Sequence, residues 1–218
     1  IEKANSLDMA DVTDITSADL TKAITSGNTV LENNGATVTE IFDAILELEN
    51  AMDKLEYNKI LVNDNASLLV DRNTNTQYTY MVGLNPTSNT VSEVEAQLRN
   101  KNVQIEITRD GKKLSETDKV GTGCVIKCIS AIDPSAVYEV ATVILYGDVN
   151  GDGFVDETDM NLIFEDAFDN TENIKSDSIY YIAADVSKDG VLDMFDYFYL
   201  DGIASGNRAF DQTQTLYK

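Results

Sequence analysis

"GDVNGDGFVDETD", Gly147–Asp159, sets an oxygen-bearing side chain at nearly every second position and breaks the run with glycines. With Asp148 as position one, Asn150, Asp152, Asp156 and Asp159 fall at positions three, five, nine and twelve, and Gly153 fills position six. In a twelve-residue loop of this spacing alternate residues turn inward around one cation, the glycine permits the sharp turn, and the position-seven carbonyl, here Phe154, adds a ligand. The pattern recurs. "DVSKDGVLDMFD" places Asp185, Ser187, Asp189, Gly190, Asp193 and Asp196 at the same offsets, with Val191 as the carbonyl donor. A solvated acidic face would explain the carboxylates but neither the glycines nor the repeat. Hard oxygen donors without sulfur or imidazole select calcium over zinc or copper. Magnesium, which demands a tighter octahedron and more water, is the weaker candidate. Two calcium ions, one per loop, are therefore expected.

The composition agrees. The chain has 218 residues with 16 Lys+Arg against 38 Asp+Glu, a net charge of −22, so nucleic acid and anionic membrane surfaces are poor partners. Sixteen acidic and four basic side chains lie in residues 147–218, so this third alone carries −12. Without cations the loops should repel themselves open. A hydrophobic content of 43% is enough for a buried core. No apolar run is long enough to span a bilayer, and no signal peptide is visible. Ile1 already sits inside a helix-like pattern, which reads as a fragment cut from a larger protein. The absence of histidine removes most zinc sites, Ser-His-Asp triads and Cys-His dyads. Cys124 and Cys128 lie in "GTGCVIKCIS", a strand candidate with both sulfurs on one face. Four residues of extended chain separate their Cα atoms by roughly 13 Å, beyond the ~7 Å reach of a disulfide. Two buried thiols are expected.

Residues 1–57 carry a helical period. "TSADLTKAITSGNTVLEN" opens on Thr16 or Ser17 as a cap and spaces Leu20, Ile24, Val30 and Leu31 for a helix. "TVTEIFDAILELENAMDKL" opens on Thr37 and Glu40 as a capping box. It carries Ile41, Ile45, Leu46, Leu48, Met52 and Leu55 on one broad stripe. "NNGA" between them is a helix stop. The stretch resembles the FIVAR module of extracellular enzymes of Gram-positive bacteria through Ala36, Thr37, Glu40, Ala44, Leu48, Ala51 and Leu55. That resemblance implies a three-helix bundle with its first helix truncated, serving as a spacer.

Residues 58–146 change to a period of two. "KILVND", "SLLVD", "QYTYMVGL", "VQIEITRDG", "CVIKCIS" and "YEVATVILYG" are strand candidates, "RDGK" is a hairpin turn, and "TVSEVEAQLRN" is a short helix. This predicts a small β-rich module. It is similar to a segment found ahead of a terminal module in clostridial surface proteins. It offers no catalytic constellation and reads as scaffold. Both of these parts are expected to survive calcium removal.

Two features separate residues 147–218 from an ordinary EF-hand: Asp rather than Glu at position twelve, and the β-like "VATVILYG" before the first loop. A duplicated loop–helix unit of this kind resembles a dockerin over roughly Tyr146 to Asn207. A dockerin is the calcium-dependent plug that locks secreted polysaccharide-degrading enzymes into cohesin modules. The resemblance implies an all-α module with helices over "ETDMNLIFEDAF" and "MFDYFYLDGIA". Their core faces would be Met160, Ile163 and Ala167, and Tyr197, Leu200 and Ala204. Val155 and Leu192, at position eight, would pair the loops through backbone bonds. "NTENIKSDSIYYIAAD" would add a further helix with Ile179 and Ile182 inward. Cohesin contacts are implied at loop positions ten and eleven and one or two helical turns later. These are Glu157, Thr158, Phe164 and Glu165 in the first repeat, and Met194, Phe195, Phe198, Asp201 and Gly202 in the second. The first face is acidic and the second apolar, with Met194, Phe195 and Phe198 expected at the surface.

The fold class expected is thus modular α and α+β: a helical bundle (1–57), a β-rich module (58–146) and a dockerin (147–218). Binding rather than catalysis is expected of this chain, with a glycoside hydrolase or other carbohydrate-active enzyme as the parent. The partner would be a cohesin of a scaffoldin or surface enzyme. The protein would be extracellular, secreted or held at the cell surface through that partner, and monomeric when unbound. A small hydrolase domain in the β-rich part is the enzymatic alternative, disfavoured by the missing histidines and carboxylate pair. Another is an adhesin fragment whose calcium loops serve only structure.

Overall fold

The computed structural model describes residues 1–7, 9–72, 78–169, 171, 173–204 and 211–212. In chain order the elements are α1 (Glu2–Asn5), α2 (Asp14–Glu32), α3 (Val38–Asp53), β1 (Leu69–Arg72), β2 (Thr79–Val82), α4 (Val91–Glu95), β3 (Val103–Arg109) and β4 (Lys112–Lys113). They continue with β5 (Val125–Ser130), β6 (Val137–Val143), α5 (Glu157–Asp169), α6 (Ile179–Ala184) and α7 (Met194–Ala204). Six strands form one sheet in the order β1-β2-β6-β5-β3-β4. The chain folds into two compact units. The first holds Ile1–Ile60, Asn100–Gln104 and Cys128–Glu139, and the second holds Leu61–Arg99, Ile105–Lys127 and Val140–Lys218. The stretch read as a single β-rich module, 58–146, thus contributes to both.

In the first unit α2 and α3 bury Leu20, Ala23, Leu48 and Leu55 with Ala4 and Val12. The Thr37–Glu40 capping box forms in full: Thr37 N–H donates to Oε2 of Glu40 at 2.7 Å, and Glu40 N–H to Oγ1 of Thr37 at 3.2 Å. Helix α2 starts two residues before the expected cap, at Asp14 after Thr13. Thr16 is inside the helix and buried, its hydroxyl 2.9 Å from that of Thr13. The α3 stripe is only half used. Ala44, Leu48 and Leu55 are buried, whereas Ile41, Phe42, Ile45 and Leu46 are exposed. Below the helices, the buried Glu56 carboxylate accepts Ala131 N–H at 2.7 Å and the Tyr138 hydroxyl at 2.9 Å.

"KILVND" is not a strand. Ile60 N–H donates to the Glu139 carboxylate, and the segment makes only one isolated antiparallel bridge, Val62 opposite Leu98, with Asn63 N–H on the Gln97 carbonyl and Arg99 N–H on the Leu61 carbonyl. Cys124 precedes β5 and Cys128 lies in it; both are buried and free. Burial, with Glu139 and Glu56 nearby, pushes the Cys128 thiol up to about 12, which keeps it unreactive.

The second unit pairs β2 with β6 in parallel, Tyr80 opposite Thr142 and Met81 opposite Val143, and β1 antiparallel with β2. The "RDGK" turn joins β3 to β4 with Asp110 and Gly111 both at positive φ, as a tight hairpin of that type requires. Thr90 and Glu93 cap α4 by a second capping box. After Gly147 the described residues form α5, α6 and α7 and no strand. Their core does not stop at the sheet. Val82 and Ile144 join Tyr146, Val149, Ile163, Ala183, Ala184, Val186 and Leu200 in one buried cluster. Ile179 and Ile182 pack against it half-buried. The Gln212 side-chain amide pairs with both the N–H and the carbonyl of Tyr146, each at 2.9 Å. Gln77, Ser205–Asn207 and the Ala204 side chain, included in the sequence reading, lie outside the described residues.

Candidate metal centre and partner face

The two loops share most of one hydrogen-bond template, differing in the bonds from positions two, four and five. At position twelve, Asp159 accepts the N–H groups of Val149 and Asn150 on one oxygen and that of Asp156 on the other. Asp196 likewise accepts those of Ser187 and Asp193, each at 2.9 Å. At position one, Asp148 accepts from Gly151 and Gly153, and Asp185 from Asp189 and Gly190. Position five accepts from position seven: Phe154 N–H onto Asp152, Val191 N–H onto Asp189. Position nine accepts from position eleven: Thr158 N–H onto Asp156, Phe195 N–H onto Asp193. Asn150 accepts Asp152 N–H at 2.8 Å, and the Ser187 hydroxyl donates to Asp185. Aspartate at position twelve is short enough to stay in the first turn of the following helix while closing its loop.

Electrostatics sets these loops apart from surface acids. Asp148, Asp159 and Asp196 are all fully buried. Burial drives the Asp148 carboxyl up to about 7, against the Thr122 N–H that holds it down, with repulsion from Asp159 and Asp152 adding to the rise. Asp159 and Asp196 are raised for the same first cause. A buried carboxylate facing other carboxylates is stabilised by a cation. Among the described residues no three acidic or thiol side chains are drawn into a closed metal cluster; they are turned onto loop amides instead. The donors are nonetheless all oxygen and in register, and they fit a hard divalent cation.

The expected pairing of the loops at position eight is absent. Leu192 N–H donates to the Tyr181 hydroxyl at 3.0 Å, which takes the bond Val155 was expected to make.

Helices α5 and α7 pack together and present the residues expected to face a partner. Phe195 and Phe198 are 71% and 59% exposed, Met194 half-buried. Glu157, Thr158, Glu165 and Asp201 are exposed, Phe164 and Gly202 half-buried. Phe168, which the spacing argument missed, is 64% exposed and stacks on Phe164 at 5.4 Å. Phe164 meets Tyr197 edge-on at 5.2 Å and Tyr197 meets Phe198 at 5.6 Å. A ladder of four aromatic rings thus joins the two repeats. Its signal was available: Phe168 lies four residues after Phe164 on the same helix face.

The two loop–helix units place acidic and carbonyl oxygens at equivalent positions of each repeat. Residues 146–201 match the family model of the dockerin type I domain. This stretch is thus similar to dockerin modules, which in general are non-catalytic and dock onto cohesins in a calcium-dependent way. No curated protein and no solved structure matches the chain. Among the described residues no helix is long and apolar enough to cross a membrane.

Proposed function

We propose that this chain attaches a secreted glycan-degrading enzyme to a cohesin of a scaffoldin or surface protein, outside the cell. The dockerin, read as residues 147–218, binds two calcium ions. Asp148, Asn150, Asp152, Asp156, Asp159 and the Phe154 carbonyl hold the first. Asp185, Ser187, Asp189, Asp193, Asp196 and the Val191 carbonyl hold the second. Calcium supplies the charge that lets three buried carboxylates remain ionised; the chain's part is to orient the oxygens and to pin the following helix to its loop. Residues 1–57 act as a FIVAR-like spacer and 58–146 as scaffold, and the free chain is a monomer.

The observation carrying this reading is that both loops, far apart in sequence, share the bonds onto position twelve from positions three and nine and onto position one from position six, and each runs into a helix of the aromatic ladder. Met194, Phe195, Phe198 and Phe164 supply apolar area for the partner. Glu157, Glu165 and Asp201 rim it, with Thr158 and Gly202, so the complementary cohesin surface is apolar with a basic border. The test is capture by a panel of cohesins with calcium and with chelator. Capture that requires calcium, and that is lost in the double variant Asp152→Ala, Asp189→Ala, is expected. Binding equal in chelator and calcium, or none across the panel, refutes the reading.

A further inference from the structure

Asp148 and Asp185 occupy the same loop position but not the same surroundings. Asp185 is half-buried and takes its backbone N–H bonds from Asp189 and Gly190, within its own loop. Asp148 is fully buried, and its Oδ2 accepts, at 2.8 Å, the N–H of Thr122, 26 residues earlier in the chain. Thr122 is itself fixed: its hydroxyl donates to the Leu145 carbonyl at 3.0 Å and accepts Leu145 N–H at 3.2 Å.

The turn around Thr122 lies directly on the loop. A Cβ at Gly121 would fall 2.3 Å from Oδ2 of Asp148 and 2.5 Å from the Gly153 nitrogen, so only glycine allows this approach. A Cβ at Gly153 would meet that of Lys119 at 2.8 Å, whereas at Gly190, its counterpart, one would find nothing within 4 Å. Asn89 closes the arrangement from below. Fully buried, it donates through Nδ2 to the Gly153 carbonyl at 2.7 Å and the Val120 carbonyl at 2.8 Å, and its Oδ1 accepts Lys119 Nζ at 2.9 Å. One amide thus binds the first loop at position six, the turn, and a lysine.

We propose that Asn89 and the turn Lys119–Gly123 are a positioning clasp for the first loop, which makes that loop the tighter of two calcium sites and couples its occupancy to the order of the turn. The proposal rests on the reading of the loops as calcium sites. Groups that orient a metal ligand from outside the coordination shell typically change metal affinity by ~10–100-fold when removed. An N–H placed on one carboxylate oxygen fixes the side chain before the ion arrives, so less ordering remains to be done on binding. The second loop, on which no such clasp lies among the described residues, orders its position-one carboxylate at the moment of binding. Linkage makes the effect mutual: an ion in the first loop holds the turn closed.

The test uses the full chain, stripped of metal and titrated with calcium by calorimetry, alongside hydrogen exchange of the Thr122 amide. Wild type is expected to give two resolved affinities, and calcium to slow Thr122 exchange. With the second loop silenced by Asp185→Ala and Asp189→Ala, the tighter affinity and the Thr122 protection should both remain. In that background Asn89→Ala should weaken the remaining site by ~10–100-fold, and Gly121→Ala should act in the same direction. With the first loop silenced by Asp148→Ala instead, Asn89→Ala should leave the second site within ~2-fold, because the clasp touches only the first. The exchange measurement on wild type needs no variant and so does not depend on either substitution folding. Two equal sites with Thr122 exchange indifferent to calcium would overturn the clasp and leave the calcium reading standing. An absence of any calcium uptake by wild type would overturn both.

Discussion

At Asp148 the protein encloses a carboxylate completely and faces it with Asp159 and Asp152 as well as with amide donors. Its folded-state pKa, about 7, lies well above its ordinary 3.8, so between those values the folded chain keeps a proton that the unfolded chain has shed. Stability then falls as pH rises through that window, by on the order of a few kcal/mol for this one group. In chelator, the urea midpoint of the loop-bearing unit should drop from pH 4.5 to pH 7.5. Saturating calcium should reverse the slope, since cation and proton compete for the same oxygens. Asp148→Asn should reduce the fall in the chelator profile without removing it, because Asp159 and Asp196 are also raised by burial, and should abolish the calcium response of the first loop. That comparison isolates Asp148 from Glu93 and Asp118, whose carboxylates are held low by amide and hydroxyl donors of Thr90 and Ser115. A chelator midpoint that rises with pH, unaltered by Asp148→Asn, would contradict the account. The repeated loops were legible in sequence because loop spacing is local. Thr122 was not, because its contribution is a backbone N–H, which any residue but proline carries.

Helices with a local signature were read closely. Expected over Met194–Ala204 and 157–168, they are found at α7 over that same range and at α5 one residue longer. What failed depended on tertiary partners: the segment at 59–64, the exposed half of the α3 apolar stripe, and the Val155–Leu192 pairing, displaced by a tyrosine hydroxyl. The partner face is a similar case. By position alone the first repeat offered acids and the second offered apolar area. Once α5 and α7 pack, Phe164 and Phe168 continue the second repeat's aromatics into the first. Contact with the partner is therefore expected from both repeats. Phe164→Ala with Phe168→Ala, and separately Phe195→Ala with Phe198→Ala, should each weaken cohesin binding by ~10-fold or more, while Glu157→Ala with Thr158→Ala costs less. Surface plasmon resonance at saturating calcium reads this directly. A large loss from the second pair alone would restrict the interface to α7.

Across the whole molecule, all twelve proposed ligand residues fall in the second compact unit, and none in the first. Sequence periodicity placed residues 58–146 among the calcium-independent parts, since they contain no ligand cluster. The shared core argues otherwise for those that belong to the second unit. Val82 and Ile144 are buried with Ile163 and Leu200, and Ile163 and Leu200 stand on helices whose first turns are closed by Asp159 and Asp196. If the loops open, those helices lose their anchor and the cluster loses its far wall, so sheet residues should become exposed along with them. Hydrogen exchange in chelator against calcium is the measurement. Peptides covering 79–84, 120–124 and 140–146 should lose protection together with those of α5 and α7. Peptides covering α2 and α3, held by Leu20, Ala23, Leu48 and Leu55, should be unchanged. If 79–84 and 140–146 stayed protected while α5 and α7 opened, the dockerin would unfold as an independent module and the common core would contribute little. If α2 and α3 responded as well, calcium would be acting beyond the unit that holds its ligands.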